Sequence, residues 1–156
     1  MTYSPGLEDL TIQNDRALRT LSRTINLTSG RRFELIIVRC SYSSLQKQMM
    51  RRLRQECSVE IQELQLPPSA KTLYTLIENQ FANNLPPALC ILGLEQVEHL
   101  DELLLSTNQV REEFRKKFKF PLVLWVTDRV LQKLIRLVPD FHNWASPISF
   151  FFPRLN

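Results

Sequence analysis

Residues 34–49 read ELIIVRCSYSSLQKQM. Leu35, Ile36, Ile37 and Val38 form an apolar, β-branched-rich run, the pattern of a strand buried on both faces. Leu45, Met49, Leu53 and Cys57 then recur every fourth residue, which predicts a helix with one apolar face. Lys47, Arg51, Arg52 and Arg54 cover its other side. Between the two lies Cys40-Ser41-Tyr42-Ser43-Ser44, a turn with no glycine. A strand–turn–helix junction can hold a phosphate on the amides at the helix start, and a backbone that wraps an anion there usually needs glycine.

The rest of the chain repeats the same alternation. Leu18, Leu21 and Ile25 predict a first helix, with Asn14 or Asp15 as its N-cap and Gly30 closing it. Residues 33–39, 59–66, 88–92, 121–127 and 149–152 read as strands. Helices are expected at 72–81, at 98–118 with a break near Ser106-Thr107-Asn108, and from Asp128, taken as the N-cap, to about Leu137 ahead of Pro139. Alternating strands and helices imply an α/β fold, a parallel sheet with helices on both faces and right-handed crossovers. Residues 1–13 are expected to be a flexible leader and residues 14–156 a single domain.

The bulk composition narrows the class. A chain of 156 residues, 44% hydrophobic, is long enough for one domain with a sizeable core. Its apolar runs are too short to span a bilayer, and the first residues lack the pattern of a signal peptide. Cys40, Cys57 and Cys90 are odd in number and have no metal-like spacing, and His99 and His142 do not cluster with them. A reduced, cytoplasmic protein without a metal site is therefore expected, with no membrane association.

Three stretches carry a resemblance. They are ALCILGLEQV (88–97), FPLVLWVTD (120–128) and RVLQKLIRLVPDFHNWASPISFFF (129–152). Together with the order of elements, they make residues 14–152 resemble a degenerate STAND/AAA-type P-loop ATPase-like domain. Such domains occur in bacterial, especially cyanobacterial, multidomain proteins, often followed by tetratricopeptide or WD repeats. The resemblance implies a three-layer αβα fold around a five-stranded parallel sheet of order 5-1-4-3-2. It also implies that Cys40, Ser41, Tyr42, Ser43 and Ser44 stand at the phosphate-loop position. Glu95 or Gly93 would then stand at the Walker B position, and Thr127 and Asp128 at the sensor position.

The residues at those positions are not those the chemistry requires. A Walker A loop, G-x-x-x-x-G-K-[ST], wraps phosphates with glycine amides, neutralises them with lysine and holds magnesium with a hydroxyl. Here the glycines are absent from the turn, and Lys47 lies inside the following helix. Ser43 and Gln46 match a capping box instead, which would satisfy the amides that otherwise face a phosphate. At the Walker B side Glu95 reads as flanking the next helix, with Glu98 a helical step further on. The chain is therefore expected not to be an enzyme and to use no cofactor.

Other residues have competing readings. Cys40 before a helix could be a stabilised thiolate, but with no histidine near in sequence a buried, inert thiol fits better. Cys90 reads as core and His142 as a loop residue. The first third is rich in arginine, and Arg51 and Arg54 mark one possible partner surface; a solvated helix face is the bland alternative. Phe151 marks a second, at an aromatic carboxyl-terminal edge. The function expected is a non-catalytic protein-interaction or regulatory module in a cytosolic signalling or scaffold assembly, whose partner is a protein or an adjacent repeat domain. The alternatives are a residual nucleotide-binding NTPase and a basic nucleic-acid-binding domain; no recognition-helix motif or stacking platform supports the latter.

Overall fold

The computed structural model describes residues 7–152. Five strands form one sheet: β1 (Glu34–Arg39), β2 (Gln62–Gln65), β3 (Leu89–Leu92), β4 (Pro121–Val126) and β5 (Ser146–Ser149). They lie side by side in the order β2-β3-β4-β1-β5, every neighbour parallel. Counted from the other edge this is the expected 5-1-4-3-2. Parallel neighbours cannot be joined by tight hairpins, so helices carry the crossovers. They are α1 (Leu7–Thr28), α2 (Ser43–Glu56), α3 (Leu73–Gln80), α4 (Leu100–Gln109), α5 (Arg111–Lys117), α6 (Asp128–Leu137) and α7 (Pro139–Asn143).

Strand alternation divides the interior into two cores. Leu35, Ile37, Leu89, Ile91, Leu122 and Leu124 point to one side and pack with residues of α3 to α7. Ile36, Val38, Cys90, Val123, Trp125 and Ile148 point to the other and pack with α1 and α2. All six residues of β4 are buried, which is why its sequence is a continuous apolar run. The first core is rich in rings: Phe114 meets Phe118 edge-on at 5.6 Å, and Phe141 carries Trp144 at 6.3 Å. The Arg115 guanidinium lies 4.0 Å over Trp144. Phe141 and Trp144 of the 139–144 stretch are thus packing residues.

Several boundaries differ from the sequence expectation. Helix α1 begins at Leu7, so Asn14 lies inside it and caps nothing. Asn14 is instead buried, and its amide clasps a backbone 137 residues away. Nδ2 donates to the Phe151 carbonyl at 2.8 Å, and the Phe151 N–H donates to Oδ1 at 2.9 Å. Residues 7–13, assigned to the leader, are helical, and residues 1–6 lie outside the described residues. The fifth strand is Ser146–Ser149, earlier than expected, because these residues are the ones in register with Ile36 to Arg39. The break expected near Ser106-Thr107-Asn108 in the helix at 98–118 falls instead at Val110, where α4 and α5 meet. At the end of α1, Gly30 takes the left-handed φ of +72° and lets the chain turn toward β1.

Candidate functional site

In a parallel sheet with helices on both faces, ligands bind beyond the carboxyl ends of the strands. Three turns meet there, after β1, β3 and β4.

The turn after β1 consists of Cys40, Ser41 and Tyr42 alone. Cys40 still belongs to the ladder, its N–H donating to the Val126 carbonyl at 2.9 Å. The Phe150 N–H donates to the Arg39 carbonyl at 2.9 Å, so the ladder also continues on the β5 side. Among the described residues only Gly30 and Gly93 have positive φ. The turn therefore lacks the left-handed residue that curls successive amides around an anion. Tyr42, in extended conformation, occupies the N-cap position of α2, without a side-chain cap bond. The expected box of Ser43 with Gln46 is not formed, because Ser43 is already the first helical residue. The Gln46 N–H goes to the Tyr42 carbonyl at 3.0 Å. Ser41, Tyr42, Ser43 and Ser44 are exposed, while Cys40 is buried with its Sγ 3.6 Å from the Tyr42 carbonyl. Burial pushes the Cys40 thiol up, and pushes Cys90, wholly inside the sheet, up to about 12. Neither is poised as a thiolate.

Beyond β3 the chain reaches Gly93 with φ +90°. A Cβ there would sit 2.2 Å from the Gln65 side-chain nitrogen and 3.3 Å from the Leu66 carbonyl, so both backbone conformation and space favour glycine. The residue that directly follows the strand thus carries no carboxylate. Glu95 lies in the short 3-10 turn that comes next (Leu94–Gln96), and its carbonyl accepts from Arg129 Nη2 at 2.9 Å. Among the described residues no group of three or more His, Cys, Asp or Glu side chains could hold a metal ion.

Beyond β4 the N-cap of α6 is Thr127, not Asp128. Its Oγ1 accepts from the Val130 N–H at 3.4 Å, and Asp128 is the first helical residue. The Asp128 carboxylate accepts from Arg39 Nε at 2.6 Å and Nη2 at 3.2 Å. Ser41 Oγ accepts from the Asp128 N–H at 3.3 Å. The hydrogen bond from Arg39 is the main reason the Asp128 carboxyl is held below its ordinary value; desolvation opposes it and Ser41 assists. The same guanidinium lies 5.9 Å from the Phe151 ring. An ion pair therefore bridges the ends of the two central strands where a phosphate site would open. Sequence reasoning missed Arg39. Its signal was a single charge closing an apolar strand, which has to find a partner or reach water.

The two partner surfaces expected from sequence are separate. Phe151, 40% exposed, stands past β5. Arg51 and Arg54 line a groove of about 590 Å³ between α2 and the ends of β2 and β3. Arg54 is paired with Glu63 at 2.9 Å, whereas Arg51 is exposed and forms no ion pair among the described residues.

No protein-family model and no curated protein matches the sequence. The fold is similar to that of the ORC2 protein of Aeropyrum pernix, solved in ADPNP–ADP complexes, with a TM-score of 0.54 and 13% identity. The match covers 96% of this chain and 49% of that one, so the chain spans about half its length. The class defined by sheet order and this likeness is a P-loop ATPase-like αβα fold. No described helix is long and apolar enough to cross a membrane.

Proposed function

We propose that the chain is a non-catalytic interaction or regulatory module, a P-loop ATPase-like scaffold whose phosphate loop has degenerated. The observation that carries this reading is the turn after β1. Three residues reach about 10 Å at most, too little for the wrapped loop that G-x-x-x-x-G-K-[ST] builds. Ion pairing of Arg39 with Asp128 beyond β4 and a glycine at the end of β3 support it. The STAND-like and bacterial multidomain character suggested by 88–97 and 120–152 fits a cytosolic assembly in which an adjacent repeat domain or a protein partner receives the signal.

The test is nucleotide binding followed by thermal unfolding. A ligand present at 100 times its dissociation constant would stabilise the protein by about 2.7 kcal/mol. The expected result is no shift with ATP, ADP or GTP in the presence of magnesium. A saturable shift at millimolar nucleotide overturns the proposal in favour of a residual NTPase.

A further inference from the structure

Charge is unevenly divided between the layers. Residues 7–58, which form α1, β1 and α2, carry ten arginines and lysines against five acids, whereas residues 59–152 carry nine against eleven. On α2, Lys47, Arg51 and Arg54 stand at i, i+4 and i+7, one above another on a single face. That face forms one wall of the 590 Å³ groove. Arg54 is engaged by Glu63, but Lys47 and Arg51 are exposed and form no ion pair among the described residues. Adjacent like charges destabilise the helix that carries them, and an anionic occupant would relieve this. The amides opening α2 lie at the same end and add to the positive potential.

The other parts of the groove specify the kind of anion. Met50 and Leu92 give it an apolar patch, Gln65 and Gln96 offer amides, and the Glu63 and Glu95 carboxylates stand across from the cations. A nucleic-acid strand would bring phosphates against those carboxylates and would find no aromatic ring in the groove lining to stack on. A peptide can satisfy every part at once, because side chains of different character alternate along it. We infer that this groove is a docking site for an acidic peptide segment of a partner protein. Its carboxylates meet Lys47 and Arg51, an apolar side chain lies on Met50 and Leu92, and its backbone bonds to Gln65 and Gln96. Methionine is suited to such a floor, being unbranched and polarisable. The inference rests on the interaction-module reading and names that module's partner class.

The experiment selects binders from a displayed random-peptide library on the intact chain. Enriched peptides are then labelled and measured by fluorescence anisotropy. The expected peptides carry acidic residues flanking a large apolar one. Lys47→Glu with Arg51→Glu should weaken their binding at least about tenfold, with a smaller loss for Lys47→Gln with Arg51→Gln. Arg16→Glu with Arg19→Glu, which changes as much charge on α1, should leave binding within about twofold. Circular dichroism establishes that each variant is folded, and the glutamine pair serves if the glutamate pair is not. Four outcomes overturn the inference: no enrichment, enrichment without acidic residues, equal loss in the α1 variant, or tighter binding of a single-stranded oligonucleotide than of any peptide. The nucleotide titration on the same protein reports separately on the interaction-module reading, since a saturable nucleotide shift can occur whether or not peptides bind.

Discussion

Strand β4 and the turn after β1 are held together by one backbone bond, from the Cys40 N–H to the Val126 carbonyl, and differ in almost everything else. All six residues of β4 are buried between two layers of side chains. Four residues from Ser41 to Ser44 lie in water. Substitution in β4 is felt by both cores, whereas the turn contributes little buried surface. A fold can therefore persist while the loops that give it chemistry change, since the two draw on different interactions. The proposed interaction module rests on this pairing of a well-packed sheet with a short turn that holds no positive-φ residue.

The contrast can be broken at its strong end first. Leu124→Ala removes packed methyl groups at the centre of the sheet and should cost about 2–5 kcal/mol in urea unfolding. Lys119→Ala, exposed just ahead of β4, should change stability by less than about 0.5 kcal/mol. Comparable losses in the two would mean that the sheet does not dominate stability.

The clasp of Asn14 on Phe151 comes next. Asn14→Leu leaves an N–H and a carbonyl of Phe151 without their partners, and should cost about 1–3 kcal/mol. Hydrogen exchange at the Phe151 amide should accelerate more than at Val123, since the loss is local to the end of β5. Uniform acceleration would show that α1 anchors the whole sheet.

Thr127→Ala removes the cap of α6 and should cost toward the low end of about 0.5–2 kcal/mol, given the 3.4 Å bond. Calorimetry of the two proteins measures it, and an unchanged melting temperature would show that Asp128 and Ser41 suffice to hold the turn.

The smallest effect is expected for Asp128→Asn. The pair with Arg39 is half exposed, so its loss should cost no more than about 1 kcal/mol at neutral pH. The sign with pH is fixed by the depressed carboxyl. Its contribution is present above the ordinary carboxylate value and disappears as pH falls through the lowered one. Urea melts at pH 7 and in strong acid should therefore show the difference between wild type and Asp128→Asn shrinking with acid. A difference that persists in acid would mean that the aspartate acts through packing and not through its charge.

Much of the fold was legible in the residues. Apolar runs at 35–38, 89–92 and 121–126 marked the central strands, because a strand buried on both faces has no polar position to interrupt it. The helix of residues 43–56 was visible in Leu45, Met49 and Leu53. Terminal elements were harder. Ser146–Ser149 carries serine and proline, and becomes a strand through pairing with β1, not through propensity. Asn14 and Asp128 were both read as local caps, since capping is what these side chains do when only their neighbours are considered. In the fold each has a distant partner that claims the same atoms.

By itself, then, the sequence determined the order and kind of the main elements, the parallel sheet they imply and the absence of glycine and lysine from the turn after β1. These are properties of periodicity and composition, which act within a few residues. Only the tertiary structure decided that Asn14 holds Phe151, that Arg39 finds Asp128 89 residues away, and that Lys47 and Arg51 overlook a groove floored by Met50 and Leu92. A polar side chain declares that it needs a partner or water, but the sheet order and the packing of helices on it choose which of the two it receives.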